Sequence, residues 1–250
     1  MLRFFVPTEV LAAEEFPLPE DIRHHLGTVL RRPAGEEILL LDGTGTIGRC
    51  RVEHLDRRSG TARLLQRWRE EETAFPVTLL QSLPKGDKMD LVLQKGTELG
   101  IAAFVPVATE RSIPALTGER ETTRQQRWQR IVREAARQCR RPVLPHLAPP
   151  QPLATALSAC RQELRLFFWE EESRPLTAIL PRARPVDAAV LIGPEGGFSA
   201  DEAAAVQAAG FLPVHFGPRI LRSETAGFAV NSILQFLYGN LDLPPARELP

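Results

Sequence analysis

The chain has 250 residues, enough for one large domain or for a small one joined to a medium one. Its 43% hydrophobic and 25% charged residues suit an ordinary globular protein; no apolar run reaches the roughly 18–20 residues that span a bilayer, and residues 1–7 lack a signal peptide's apolar core, so a cytoplasmic protein with no membrane contact is expected. Formal net charge is zero, so charge alone does not mark a nucleic-acid binder, and Cys50, Cys139 and Cys160 lie far apart without metal-ligand spacing, which predicts reduced, partly buried thiols and no metal.

The first part, residues 1–69, opens with a strand at 2–6. Residues 18–32 carry Ile22, Leu26, Val29 and Leu30 at helical spacing, which predicts a helix packed by that face. Apolar runs at 38–41, 46–52 and 61–66 are separated by Asp42-Gly43, Gly45, Gly48 and Ser59-Gly60; short strands with glycine turns predict a small β-barrel. The charged stretch at 70–75 reads as a linker. Over 76–242 strands at 77–83, 103–107, 164–169, 188–192 and 213–216 alternate with helices at 88–99, 122–140, 200–209 and 225–238. The proline-rich 142–152 reads as a connection and 243–250 as a tail. Such alternation predicts an α/β domain on a mostly parallel sheet. The last helix, with Phe228, Val230, Ile233, Leu234, Phe236, Leu237 and Tyr238, is apolar nearly all round and must be buried; a dimer interface is one way to do it.

Ligands of parallel α/β sheets bind where loops leave the carboxyl ends of strands. One such loop is Gly193-Pro194-Glu195-Gly196-Gly197-Phe198-Ser199. Its glycines permit close approach of the backbone to a ligand, and Ser199 with Glu202 forms a capping box for the next helix. Capping explains those two residues but not Glu195 between proline and two glycines. Neither a G-x-x-x-x-G-K-[ST] nor a G-x-G-x-x-G pattern occurs, which argues against a nucleoside triphosphate or a dinucleotide. A second loop is Gly217-Pro218-Arg219-Ile220-Leu221-Arg222-Ser223-Glu224-Thr225-Ala226. Glu224 there is favourable with the helix dipole, whereas Arg222 gains nothing from it and so points to function. Lys85-Gly86-Asp87-Lys88-Met89-Asp90, Gln94-Lys95-Gly96-Thr97-Glu98-Leu99-Gly100 and Thr109-Glu110-Arg111-Ser112 are further motifs, with Lys95 and Glu98 placed to pair on a helix surface. Between Arg111 and Arg141 nine arginines face three acids, a local basic cluster suited to RNA phosphates. The chain has three lysines against 28 arginines, a skew that base composition can produce.

The two glycine loops, with the motifs at 94–100 and 109–112 and with Arg3-Phe4-Phe5-Val6 and His25…Val29-Leu30-Arg31, closely resemble the bacterial 16S ribosomal RNA uridine N3-methyltransferase family, RsmE, of the SPOUT class. The resemblance covers nearly the whole chain. One departure is Glu134-Ala135-Ala136-Arg137-Gln138-Cys139-Arg140-Arg141, where the family commonly reads Glu-Ala-x-Glu-Gln-Ser-x-Arg.

The resemblance implies a C-terminal SPOUT domain with a parallel sheet and a deep trefoil knot, an N-terminal PUA-like barrel that binds RNA, and a homodimer. It implies methyl transfer from S-adenosylmethionine to N3 of a uridine in 16S ribosomal RNA of the small subunit. Leu191, Gly193, Pro194, Glu195, Gly196, Gly197, Gly217, Ile220, Leu221, Arg222, Thr225 and Ala226 would hold the cofactor. Arg222 and Glu224 would serve catalysis, with Glu195 as another candidate carboxylate and Arg111 of the partner subunit as another cation. Arg3, His25, Arg31, Arg111 and Arg137 would contact RNA. The competing readings are a SPOUT enzyme for another ribosomal or transfer RNA site and a non-catalytic RNA-binding assembly factor.

Overall fold

The computed structural model describes residues 1–72, 74–112, 118–169, 171 and 173–241; the tail at 243–250 lies outside them. The chain divides into two compact units, Met1–Glu72 with Ala136–Leu144, and the remainder from residue 73 onward. The stretch Ala136–Leu144 thus clusters with the first unit, although the sequence pattern places it in the second part.

In the first unit β1 (Leu2–Phe5), β2 (Glu15–Pro17), β3 (Glu37–Leu41), β4 (Thr46–Leu55) and β5 (Gly60–Arg69) form one sheet in the order β1-β3-β4-β5-β2. The β1–β3 pair is parallel and the others antiparallel. Alternate residues of β4 (Cys50, Val52) meet Ile38 and Leu40 of β3 in a core shared with Phe4, Ile22 and Leu26. The helix expected over 18–32 is shorter: α1 spans Glu20–His24, behind the extended Pro19, and passes into a π-helical turn at His25–Val29. There the Leu30 N–H reaches back to the His25 carbonyl at 2.9 Å. The extra residue in that turn rotates the helical phase, so Val29 is 58% exposed while Ile22 and Leu26 stay in the core.

The second unit holds β6 (Val77–Ser82), α2 (Lys88–Glu98), β7 (Ala103–Ala108), most of α3 (Glu119–Gln138), β8 (His146–Leu147), β9 (Gln151–Pro152), α4 (Leu153–Ala159) and β10 (Leu164–Phe168). It continues with β11 (Arg174–Pro175), α5 (Leu176–Ile179), β12 (Ala188–Ile192), α6 (Ala200–Ala208), β13 (Leu212–His215) and α7 (Ser223–Tyr238). The sheet order is β11-β13-β10-β12-β6-β7-β8, with β9 also on β7, and every pairing is parallel. Its central strands are buried on both faces, as continuous apolar runs require. Leu79, Leu166, Val190 and Val214 pack toward α2, α3 and α7, whereas Leu80, Phe167 and Leu191 pack toward α4 and α6. The proline-rich segment is more than a connection: it contributes β8 and β9, too short to leave a periodic signal.

α7 lies against α2, β6 and β12. Gln235, fully buried, accepts the Phe75 N–H at 2.9 Å and donates to the Phe75 carbonyl at 2.7 Å, and Asn231 donates to the Leu99 carbonyl at 2.8 Å. These side chains satisfy buried backbone groups at the strand and helix ends beside α7. Among the described residues no helix is long and apolar enough to cross a membrane.

Candidate functional site

Because β10, β12 and β13 run parallel, their carboxyl ends point the same way and the loops leaving them converge. They enclose a cavity of about 850 Å³ lined by residues 193–198 after β12, 214–223 around the end of β13, Phe168 at the end of β10 and Trp169 and Glu171 after it. Lys88 at the start of α2 and Arg111 in the turn after β7 complete the wall. Phe168 and Phe216, with ring centroids 4.7 Å apart, supply an aromatic surface beside a rim rich in backbone polar groups. This mixture suits a ligand with a flat ring and a polar chain.

The loop after β12 is fixed from several sides. A Cβ at Gly193 would lie 3.0 Å from the Phe198 ring, so any larger residue there would have to push the ring aside. Gly197, at φ +69°, occupies the left-handed region that glycine adopts without strain. Both arms of the capping box are present: Ser199 Oγ accepts the Glu202 N–H at 3.3 Å, and Glu202 Oε2 accepts the Ser199 N–H at 3.1 Å. Glu202 has a second task that spacing did not reveal, since its Oε1 accepts the Glu110 N–H at 2.8 Å. Beside it Arg111 Nη1 donates to the Gly196 carbonyl at 3.0 Å. Arg111 therefore lines the cavity of its own chain.

The loop after β13 ends on Arg222, extended at φ −65° and ψ 152°, which is the residue before α7. Its side chain is exposed, and Ile220 beside it is 78% exposed. Glu224, in the first turn of α7, is only 9% exposed and accepts a hydrogen bond from Ser223 Oγ at 3.3 Å.

Lys88 joins the two loops' acids. Its Nζ is 2.7 Å from Glu195 Oε1 and 3.7 Å from Glu224 Oε2, and the Lys85 N–H also donates to Glu195 Oε1 at 3.3 Å. Burial pushes the Glu195 carboxyl up, but the hydrogen bond from Lys88 and those from backbone N–H groups outweigh it, so its pKa falls below the ordinary carboxylate range. The same hydrogen bond, donated to Glu195, raises the Lys88 pKa, against a smaller opposing effect of burial. Lys88 was in a motif that sequence spacing singled out without a role; only the fold brings it to Glu195, 107 positions away.

Of the residues expected at the site, Gly193, Pro194, Glu195, Gly196, Gly197, Gly217, Ile220, Leu221, Arg222 and Ala226 line this one cavity. Leu191 does not: as an inward position of a central strand it is fully buried among Leu80, Phe167 and Phe198. Thr225 is exposed on α7 and absent from the lining, and Glu224 sits behind the lining against Lys88. Arg3, His25, Arg31 and Arg137 belong to the first unit and are not part of the cavity. Arg3 is half-buried there, donates to the Arg140 carbonyl at 3.3 Å and has its pKa lowered by burial. His25 packs its ring edge-on to Phe4 at 5.6 Å, and Arg31 is exposed with φ +50°. Arg137 is half-buried near the end of α3. Phe168, Trp169, Glu171, His215 and Phe216 are lining residues that no motif marked: they lie at or just beyond the ends of β10 and β13, where an apolar strand pattern does not show which residues face a ligand. Among the described residues no three His, Cys, Asp or Glu side chains gather to hold a metal.

The profile of the RNA methyltransferase domain family matches residues 71–235, and that of the RNA methyltransferase PUA domain matches residues 18–65. A protein of Mycobacterium bovis called ribosomal RNA small subunit methyltransferase E is 34% identical over 206 residues, 81% of this chain and 79% of its own length. A methyltransferase of Legionella pneumophila, solved in complex with the cofactor SAM, superposes with a TM-score of 0.88 at 32% identity, over 96% of this chain and 99% of its own. The ribosomal RNA small subunit methyltransferase E of Neisseria gonorrhoeae, solved bound to S-adenosyl methionine, superposes with a TM-score of 0.86 at 34% identity, over 96% of this chain and 99% of its own.

Proposed function

Because the chain belongs to the ribosomal RNA small subunit methyltransferase E family of RNA methyltransferases, we propose that it methylates N3 of a uridine in 16S ribosomal RNA, using S-adenosylmethionine. The observation that carries this reading is the cavity at the carboxyl ends of β10, β12 and β13. At about 850 Å³ it is within the span of small-molecule sites, roughly 300–1,000 Å³. The close pass of Gly193 over Phe198 and the left-handed Gly197 leave main-chain groups open to the cavity, which is how a backbone cradle for a nucleoside with an amino-acid tail is built. S-adenosylmethionine bound there would supply an electrophilic methyl group on a sulfonium.

The chain's own residues then do three things. Residues 193–197 and 217–221 hold the cofactor, while Phe168 and Phe216 offer apolar surface to its ring. Arg222, exposed at the rim, and Arg111 stabilise negative charge on the uracil ring as N3 loses its proton. That proton leaves to solvent, because neither carboxylate is placed to take it: Glu195 is engaged by Lys88 and the Lys85 N–H and its lowered pKa makes it a weak acceptor, and Glu224 sits behind the cavity lining. Arg3, His25, Arg31 and Arg137 of the first unit, with Arg111, contact RNA phosphates.

Three finer readings belong with this one. The return of α7 from β13, next to the edge strand β11, to the middle of the sheet supports a threaded, knotted C-terminal segment. The exposed Phe236, Leu237 and Leu241 along and after α7 support a homodimer. A ribosomal substrate supports a cytoplasmic enzyme.

The deciding experiment supplies small subunits from a strain lacking the gene, together with labelled S-adenosylmethionine, and maps the product by nucleoside digestion and mass spectrometry. Label on N3-methyluridine of 16S RNA is expected. Label on another nucleoside or on transfer RNA would move the substrate. Absence of S-adenosylmethionine binding by titration calorimetry would sink the cofactor reading.

A further inference from the structure

We propose that Lys88 is a positioning residue that fastens the two cofactor loops to each other, its ammonium bridging Glu195 in the loop after β12 and Glu224 at the start of α7. The inference rests on the reading of the cavity as an S-adenosylmethionine site. The loop after β12 has its own anchors in the Ser199–Glu202 box and in Arg111 and Glu110. The first turn of α7 is joined to that loop through Lys88, 2.7 Å from one acid and 3.7 Å from the other.

Three observations set this contact apart from a surface ion pair. A cation in the first turn of α2 gains nothing from the helix dipole, so the carboxylates and not the helix account for its place. Glu195 and Lys88 shift each other's pKa in opposite directions, as a charge-assisted hydrogen bond requires. The residue is also one of three lysines in a chain with 28 arginines. A compact ammonium can face two carboxylates from different elements, whereas a planar guanidinium favours one carboxylate held by two parallel bonds. Lys88 touches neither the reacting methyl nor the uridine on this account; it acts through the two acids on the shape of the cofactor cradle.

The test compares wild type, Lys88→Met, Lys88→Arg and Glu195→Gln in titration calorimetry with S-adenosylmethionine and in steady-state methylation of small subunits. Loss of a partly exposed, charge-assisted contact predicts a Kd about fivefold higher for Lys88→Met at low salt. The KM for S-adenosylmethionine should rise in step, with kcat at saturating cofactor within about twofold of wild type. Lys88→Arg should recover part of the loss, because it restores the charge without the geometry. At about 1 M salt, where the screening length is about 3 Å, the advantage of wild type over Lys88→Met should vanish. Glu195→Gln removes the other end of the bridge at nearly constant volume and should raise Kd by a similar factor, and the double variant by no more than either, which reads the bridge even if Lys88→Met fails to fold. Equal Kd in wild type and both single variants at low salt overturns the inference. So does a fall in kcat with unchanged KM, which would put Lys88 in the chemistry itself. If wild type binds no S-adenosylmethionine, the reading of the cavity falls with it, an outcome distinct from variants that bind as well as wild type.

Discussion

Arg222 and Glu195 show how differently two charged residues of one cavity are used. Arg222 precedes α7 at the rim with its side chain in the open, where a guanidinium costs little to keep and faces whatever enters. Replacing it with alanine should lower kcat about 100-fold, as loss of a stabilising donor does elsewhere, with the melting temperature nearly unchanged; single-turnover methylation of small subunits and a thermal melt check both. Glu195 is spent on the protein itself. Its lowered pKa means that its pairing contributes stability fully above the ordinary value of 4.5 and loses it as pH falls through the lower value in the fold. Lys88 has the opposite sign: its raised pKa leaves the contribution intact below 10.5 and removes it as pH rises through the higher value. The melting-temperature gap between wild type and Glu195→Gln should therefore be flat between those two values and close on either side. Its height should be about 2 °C, since a partly exposed pair contributes at most about 1 kcal/mol. The thiols divide in the same way: burial pushes Cys50 up to about 12, leaving it inert in the native state, while Cys139 is only half-buried.

At the scale of elements, α6 and α1 bracket what local sequence can specify. α6 begins where its capping box says, because Ser199 and Glu202 satisfy each other's backbone N–H groups without help from the rest of the chain. Ser199→Ala should cost about 1 kcal/mol, read as a melting point lower by about 2–4 °C, and should also loosen Glu202 from the Glu110 N–H. If the melting point does not move, the cap carries no weight in this fold. The helix after Pro19 keeps its early core positions, Ile22 and Leu26, but gives way to a π-helical turn that turns Val29 outward. No propensity marks such a turn, since it is set by where the chain must arrive at Arg31, the residue at φ +50°. β8, β9 and β11, at two residues each, exist because a parallel neighbour offers hydrogen bonds, and two residues cannot show a period.

For the molecule as a whole, α7 decides the most. One side of it is locked by Asn231 and Gln235 to the backbone of Leu99 and Phe75, while Phe236 and Leu237 are 63% and 51% exposed. An apolar surface on a helix so firmly held calls for a partner, and Phe236→Asp should convert a dimer to monomer in light scattering after size exclusion; a wild type that runs as a monomer would refute that reading. Much was legible beforehand. The alternation of apolar runs with amphipathic segments dictated an α/β sheet, because buried parallel strands must be apolar throughout and their helices apolar on one face. Glycine turns and the S-x-x-E spacing marked the loop after β12, because left-handed backbone and capping are local demands. The strand order, with β12 between β10 and β6, lay outside any local pattern, since a parallel sheet leaves no trace of which strand sits beside which. So did the meeting of Lys88 with Glu195 and Glu224, and of Arg111 with Gly196. Local chemistry determined which segments could form turns, caps and strands; which side chains face one another across the cavity is a long-range fact, decided only when the whole chain had packed.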